Sequence, residues 1–143
     1  MIKIVKFLTL SLIIISACSL SACGKSSNDW TPDKVLNKRD QRESRSYVTA
    51  GEKQVLDTDY NIERAIYNAA PYKHVKKNQT TSNNYFKYNL DVNGSIFPVY
   101  CEMTFYEDGY VEVNTKDVDF IYQFNAEKSA SLYQLAVTFV NEN

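Results

Sequence analysis

Between Tyr85 and Thr115 apolar and polar residues alternate. Phe86, Tyr88, Leu90 and Val92 form one series, Phe97, Val99, Cys101, Met103 and Phe105 the next, and Asn93-Gly94 lies between them. A period of two places each series on one face of a strand. Asn-Gly favours a two-residue type I′ turn, because both central residues take positive φ. Closing the hairpin there sets Val92 opposite Ser95, Leu90 opposite Phe97, Tyr88 opposite Val99 and Phe86 opposite Cys101. In the next hairpin, a two-residue Asp108-Gly109 loop would set Phe105 against Glu112 and turn Val111 and Val113 to the wrong side. A one-residue slip flips a whole face. The pattern therefore predicts a three-residue loop, Glu107-Asp108-Gly109, with Gly109 left-handed, Phe105 opposite Val111 and Met103 opposite Val113. Pro98 fits where the third strand is too short to need its missing N–H. A fourth strand, Phe120 to Phe124, is expected after a turn at Lys116-Asp117-Val118-Asp119.

Helical spacing brackets these strands. Asp57-Thr58-Asp59 offers capping groups, and Ile62, Ala65, Ile66 and Ala69 follow at intervals of three and four, ending at Pro71. Asn125 is placed to cap a last helix whose Ala126, Ala130, Tyr133, Val137 and Val140 make an apolar stripe, flanked by Leu132, Leu135, Ala136 and Phe139. From Gly24 to Lys53 the only large apolar residues are Trp30, Val35, Leu36, Tyr47 and Val48, too few to offset the entropy of ordering. This stretch reads as a tether containing a helix start at Thr31-Pro32-Asp33, with threonine as N-cap. Lys34, Lys38, Arg42 and Arg45 would line one face of that helix. The expected fold is α+β: one small domain over 54–143, with an N-terminal helix, a four-stranded antiparallel meander and a C-terminal helix packed on one face. The layout is similar to small cystatin-like or nuclear-transport-factor-like domains, an analogy that carries no function.

The first residues have another character. Two lysines lie within Met1 to Lys6, Phe7 to Ile15 is almost wholly apolar, and Leu20-Ser21-Ala22-Cys23 follows. These are the charged, apolar and small-residue regions of a secretory signal, and the cysteine at the cut resembles the lipobox of bacterial lipoproteins. The resemblance implies removal of residues 1–22, a diacylglycerol on Cys23, and a lipidated tether over 23–53. Ile15-Ser16-Ala17-Cys18 is the alternative site, but Leu20 and the polar run after Gly24 favour Cys23. Phe7 to Leu20 is shorter than the ~20 apolar residues of a spanning helix, whereas two acyl chains hold a protein on a bilayer. The expected place is the cell membrane on its extracytoplasmic side: the outer leaflet of the cytoplasmic membrane in a Gram-positive host, or the outer membrane in a Gram-negative one. Frequent lysine, asparagine and isoleucine favour a low-GC Gram-positive.

Charge sharpens this picture. Residues 24–77 hold eleven Lys/Arg against eight Asp/Glu, and residues 78–143 hold three against nine. A basic half next to a lipid suits anionic headgroups or wall polymers. Neither half is basic enough to suggest nucleic acid. After removal of the signal and use of Cys23, Cys101 stands alone, so no internal disulfide forms, and its strand position points inward.

The chemistry-bearing residues are few. His74 is the only histidine, in a lysine-rich connection away from any nucleophile, so neither a catalytic triad nor a zinc site is expected. Glu102 and Glu112 share the outer face of the sheet without a cleft around them. Asn114, Asp117 and Asp119 read as turn residues rather than a calcium loop. No catalytic residue, metal or cofactor is expected. Tyr85, Tyr100, Tyr106 and Tyr110 share the outer face with Lys87, Glu102 and Glu112, and Tyr106 is expected opposite Tyr110. Tyrosine supplies contact area at the cost of only two torsions. The expected function is a non-enzymatic binding module for a protein or envelope polymer. The alternatives are a structural or assembly lipoprotein acting through its basic tether and, less favoured, a cell-wall hydrolase.

Overall fold

A computed structural model of the chain describes residues 26–38, 44–91, 100–115 and 118–143. The signal segment, Cys18, Cys23, Arg42, the Asn93-Gly94 turn, Phe97, Pro98, Val99 and Asp117 lie outside the described residues. The chain order is a 3-10 turn (Ser27–Trp30), α1 (Pro32–Lys38), β1 (Arg45–Ala50), β2 (Lys53–Leu56), α2 (Asn61–Asn68), β3 (Lys73–Val75), β4 (Tyr85–Asp91), β5 (Tyr100–Tyr106), β6 (Tyr110–Thr115), β7 (Asp119–Gln123) and α3 (Ala126–Glu142).

The strands form one seven-stranded sheet in the order β2-β1-β4-β5-β6-β7-β3, antiparallel at every pairing. The expected four-stranded meander is thus the middle of a larger sheet. Of the three further strands, β1 comes from the segment read as tether and β3 from the one read as a connection, while β2 lies at the start of the expected domain, where no strand was expected. β1 has Val48 as its one large inward side chain beside a buried Ser46, and it becomes a strand by pairing with β4 on one side and β2 on the other. β2 and β3 are short, lysine-bearing edges, the composition that discourages edge-to-edge association. Ordered packing accordingly includes residues well before Gln54: Trp30, Val35, Leu36 and Val48 are core residues.

The first hairpin departs from expectation in register. Phe86 faces Phe105, Tyr88 faces Met103, Leu90 faces Cys101, and Asp91 faces Tyr100. This is a slip of four residues from the pairing that a two-residue Asn93-Gly94 turn requires. An even slip keeps every side chain on its face, so the inward set of Phe86, Tyr88, Leu90, Cys101, Met103 and Phe105 remains a buried stripe. Stacking of Phe86 on Phe105, with ring centroids 5.0 Å apart, favours the observed register. The second hairpin has the expected one: Phe105 faces Val111, Met103 faces Val113, Gly109 has φ 101°, and its amide donates to the Tyr106 carbonyl at 3.2 Å.

All three helices cover the inward face. Helix α2 is seated by Asp57, whose carboxylate accepts from the amides of Asn61 (2.9 Å), Ile62 (3.1 Å) and Glu63 (3.1 Å). Tyr60, the residue before the helix, has φ 55° and gives no side-chain cap. Helix α3 starts at the expected Asn125 cap, but its buried line is Ser129, Leu132, Ala136 and Val140, leaving Ala126 exposed and Leu135 44% exposed. Thr31 precedes α1 and its carbonyl accepts from Lys34 and Val35, while its buried hydroxyl has no partner among the described residues. Because α1 ends at Lys38 and Arg45 opens β1, the expected basic helical stripe of Lys34, Lys38, Arg42 and Arg45 is not one helix face. Among the described residues no helix is long and apolar enough to cross a membrane.

Candidate functional site

With the helices on one side, the other side of the sheet is left to its own side chains. Alternation in β4, β5 and β6 brings most of the expected site residues there. Tyr85 is 47% exposed and its ring lies 5.8 Å from that of Tyr106, its partner across the strands. Tyr106 and Tyr110 are half-buried at the two ends of the Glu107–Gly109 loop. Their strands' last paired residues are Phe105 and Val111, which places the two tyrosines one step further into the turn. Tyr100 opens β5 across from Asp91, at the far end of that strand from Tyr106. The tyrosines therefore form a group of three near one hairpin, with Tyr100 apart.

The charged members are engaged with neighbours. Lys87 donates to Glu102 at 2.9 Å, and this hydrogen bond is the main reason its ammonium holds its proton more tightly than usual. Glu112 accepts from the Asn78 side chain at 2.6 Å. Glu102 lies opposite Asn114 and Glu112 opposite Thr104, so the two carboxylates sit diagonally and each has its own partner. Partial burial raises the Tyr106 phenol, with smaller contributions from Glu112 and Tyr85. It remains the neutral hydroxyl that recognition of a polar partner would use.

Sequence reasoning missed the strap that borders this face. Residues 76–84 join β3, at one edge, to β4, four strands inside it, and their polar groups converge on the second hairpin. Asp108 accepts from the Thr80 hydroxyl (2.7 Å), the Thr81 amide (2.9 Å) and the Ser82 amide (3.3 Å). Asn84 donates to Glu107 at 2.7 Å, and its carbonyl accepts from the Glu107 amide at 3.0 Å. The signal was present in the run Asn78 to Asn84, unusually dense in Asn, Thr and Ser, and in a hairpin loop carrying two carboxylates. What the sequence lacked was a reason for the two to meet.

Elsewhere the chemistry is structural. Expected in a solvated turn, His74 is an exposed residue of β3, its ring edge-on to Phe120 and Tyr122 at 6.0 and 5.8 Å. Cys101 is buried as expected, and burial pushes its thiol up to about 12, far from thiolate reactivity. The Tyr88 hydroxyl lies 3.4 Å from Asp57 and 3.3 Å from Glu63, tying α2 to the sheet. Among the described residues no three His, Cys, Asp or Glu side chains gather as metal ligands. A groove of about 490 Å³ runs between α2 and α3, lined chiefly by Ala65, Ala69, Lys128, Leu132 and Leu135. The chain matches no family model, no curated protein and no solved structure.

Proposed function

We propose that this protein is an extracytoplasmic lipoprotein, anchored to the cell membrane through diacylglycerol on Cys23, and that it acts as a non-enzymatic binding module through the open face of its sheet. The observation that carries the reading is the clustering of Tyr85, Tyr106 and Tyr110 on the face of the sheet opposite the described helices. They stand beside the Lys87–Glu102 pair and are bordered by a strap of hydrogen-bonding side chains. Aromatic residues that are rigid on a sheet and polar at their tips suit a protein partner. The alternative, an assembly protein acting through a basic tether, loses support because residues 26–38 and 44–53 contribute core side chains and the strand β1.

The test pairs the full-length protein with a Tyr85→Ala/Tyr106→Ala variant, both purified from membranes in mild detergent. A partner captured from an envelope fraction is then purified and its direct binding measured by calorimetry. Loss of at least about tenfold in affinity, the scale of one hot-spot residue, supports the reading, provided the variant keeps wild-type Trp30 fluorescence. Equal affinity in both proteins overturns the tyrosine face as the site.

A further inference from the structure

The chain enters the fold at one particular edge. The Ser27 carbonyl accepts a hydrogen bond from the Tyr122 hydroxyl, and the Trp30 ring stacks on Phe120 at 6.4 Å. Both partners belong to β7, and beyond β7 lies only β3, the last strand of the sheet. Cys23 is three residues upstream of Ser26, and three residues span at most about 11 Å. A lipid on Cys23 therefore holds this edge, and not the β2 edge six strands away, beside the bilayer.

The same edge carries the densest run of cations among the described residues. Lys73 lies in β3, Lys76 and Lys77 follow it, and all three are exposed. Lys34 on α1 is also exposed; Asp29 and Asp33 lie near Tyr122, and Glu112 accepts from Asn78, the residue after Lys77. Where the strap leaves β3, a depression of about 290 Å³ is lined by Val75, Lys76, Lys77, Gln79, Tyr110 and Gln123. Two lysines, two glutamines and a tyrosine line it beside Val75 with no carboxylate among them, residue types that can donate to a phosphodiester.

We propose that the β3 edge is a membrane-docking surface and that its depression takes the phosphodiester headgroup of an anionic phospholipid. This rests on the lipoprotein reading for its geometry. Docked so, the sheet stands on its β3 edge, and the tyrosine face is turned sideways, open to a partner in the same membrane.

Full-length protein is reconstituted in vesicles of phosphatidylcholine alone, or of phosphatidylcholine and phosphatidylglycerol in equal parts, and its lysines are labelled with an amine-reactive reagent read by mass spectrometry. On the anionic vesicles Lys76 and Lys77 should label about fivefold more slowly, roughly the effect of one basic residue at a charged surface. Lys53 on the β2 edge should be unchanged. High salt should erase the difference, and a Lys76→Gln/Lys77→Gln variant, altered only at exposed positions, should lose the protection of Lys73. Equal labelling on both vesicles, or equal protection of Lys53, overturns the proposal. So does protection by a soluble anionic wall polymer on phosphatidylcholine vesicles without any by phosphatidylglycerol. The intact mass decides separately whether Cys23 carries lipid: a mass lacking the diacylglyceryl group overturns the anchor reading, and the labelling contrast, taken with vesicles in excess, still judges the edge.

Discussion

Asp57 satisfies three amides of the first turn of α2 with one buried carboxylate. Asp57→Ala leaves those three donors short of a partner and should cost about 2–3 kcal/mol, at the upper end of measured caps. Tyr88→Phe should cost about 1 kcal/mol. Urea midpoints at an unchanged slope would measure both. The glycines make a second contrast. A Cβ on Gly109 would meet the Phe124 carbonyl at 2.7 Å at a φ of 101°, whereas one on Gly51, at φ 61°, meets nothing within 4 Å. Gly51→Ala should cost about 1 kcal/mol, the ordinary penalty of left-handed backbone, and Gly109→Ala clearly more, because both strain and collision apply. Equal losses would show that the contact with Phe124 relaxes freely. At this scale much was legible in the chain: Asp57 among its capping residues, Asn125 as a cap, Gly109 as the left-handed loop residue, and Cys101 as an inward side chain. Each depends on neighbours a few residues away. Asp108 was not legible as the anchor of a strap, since its partners lie 26 to 28 residues earlier.

Elements whose pattern was strong, β4 to β7 with α2 and α3, were readable from periodicity alone. Those whose stability comes from a neighbour were not. β1 shows one large inward residue and a buried serine, β2 and β3 are edges with little to bury, and α1 is seven residues long. Local composition made α1 and β1 look like tether and β3 like a connection, and left β2 unmarked, because the apolar surface they meet belongs to other parts of the chain. Trp30 gives a direct check, being the single tryptophan and only 1% exposed. Its emission should be that of an indole out of water and should shift to the red together with loss of secondary structure on urea unfolding. A water-like emission in the native protein would return residues 26–38 to the tether. Trp30→Ala should lower stability by about 3–5 kcal/mol. Deleting residues 24–53 should do far more, since it strips β4 of one of its two neighbouring strands and removes Trp30, Val35, Leu36 and Val48 from the core; loss of the folded baseline in circular dichroism would register it.

Across the whole molecule, the groups with raised proton affinity all act in one direction. Burial pushes the Cys101 thiol up to about 12 and raises the Tyr72 and Tyr122 phenols further, while Glu102 raises Lys87. Each favours folding fully below its unfolded value and loses that contribution as pH climbs toward its folded one. Stability from these groups should be level to about pH 8.5, where an unfolded thiol begins to ionise, and fall steadily from there toward pH 12. Cys101→Ala should remove the earliest part of that fall, a difference visible in urea midpoints taken between neutral and alkaline pH; identical slopes would mean that the thiol reaches water in the native state. The order of the sheet has a consequence in time as well as in space. Val48 pairs with Tyr88 and His74 with Tyr122, so β1 and β3 join the sheet only against strands of the second half. A chain emerging amino end first can close its β1–β2 hairpin and no more of the sheet until the meander has followed. β1 and β3 thus wait for most of the chain to follow before the sheet can close beside them.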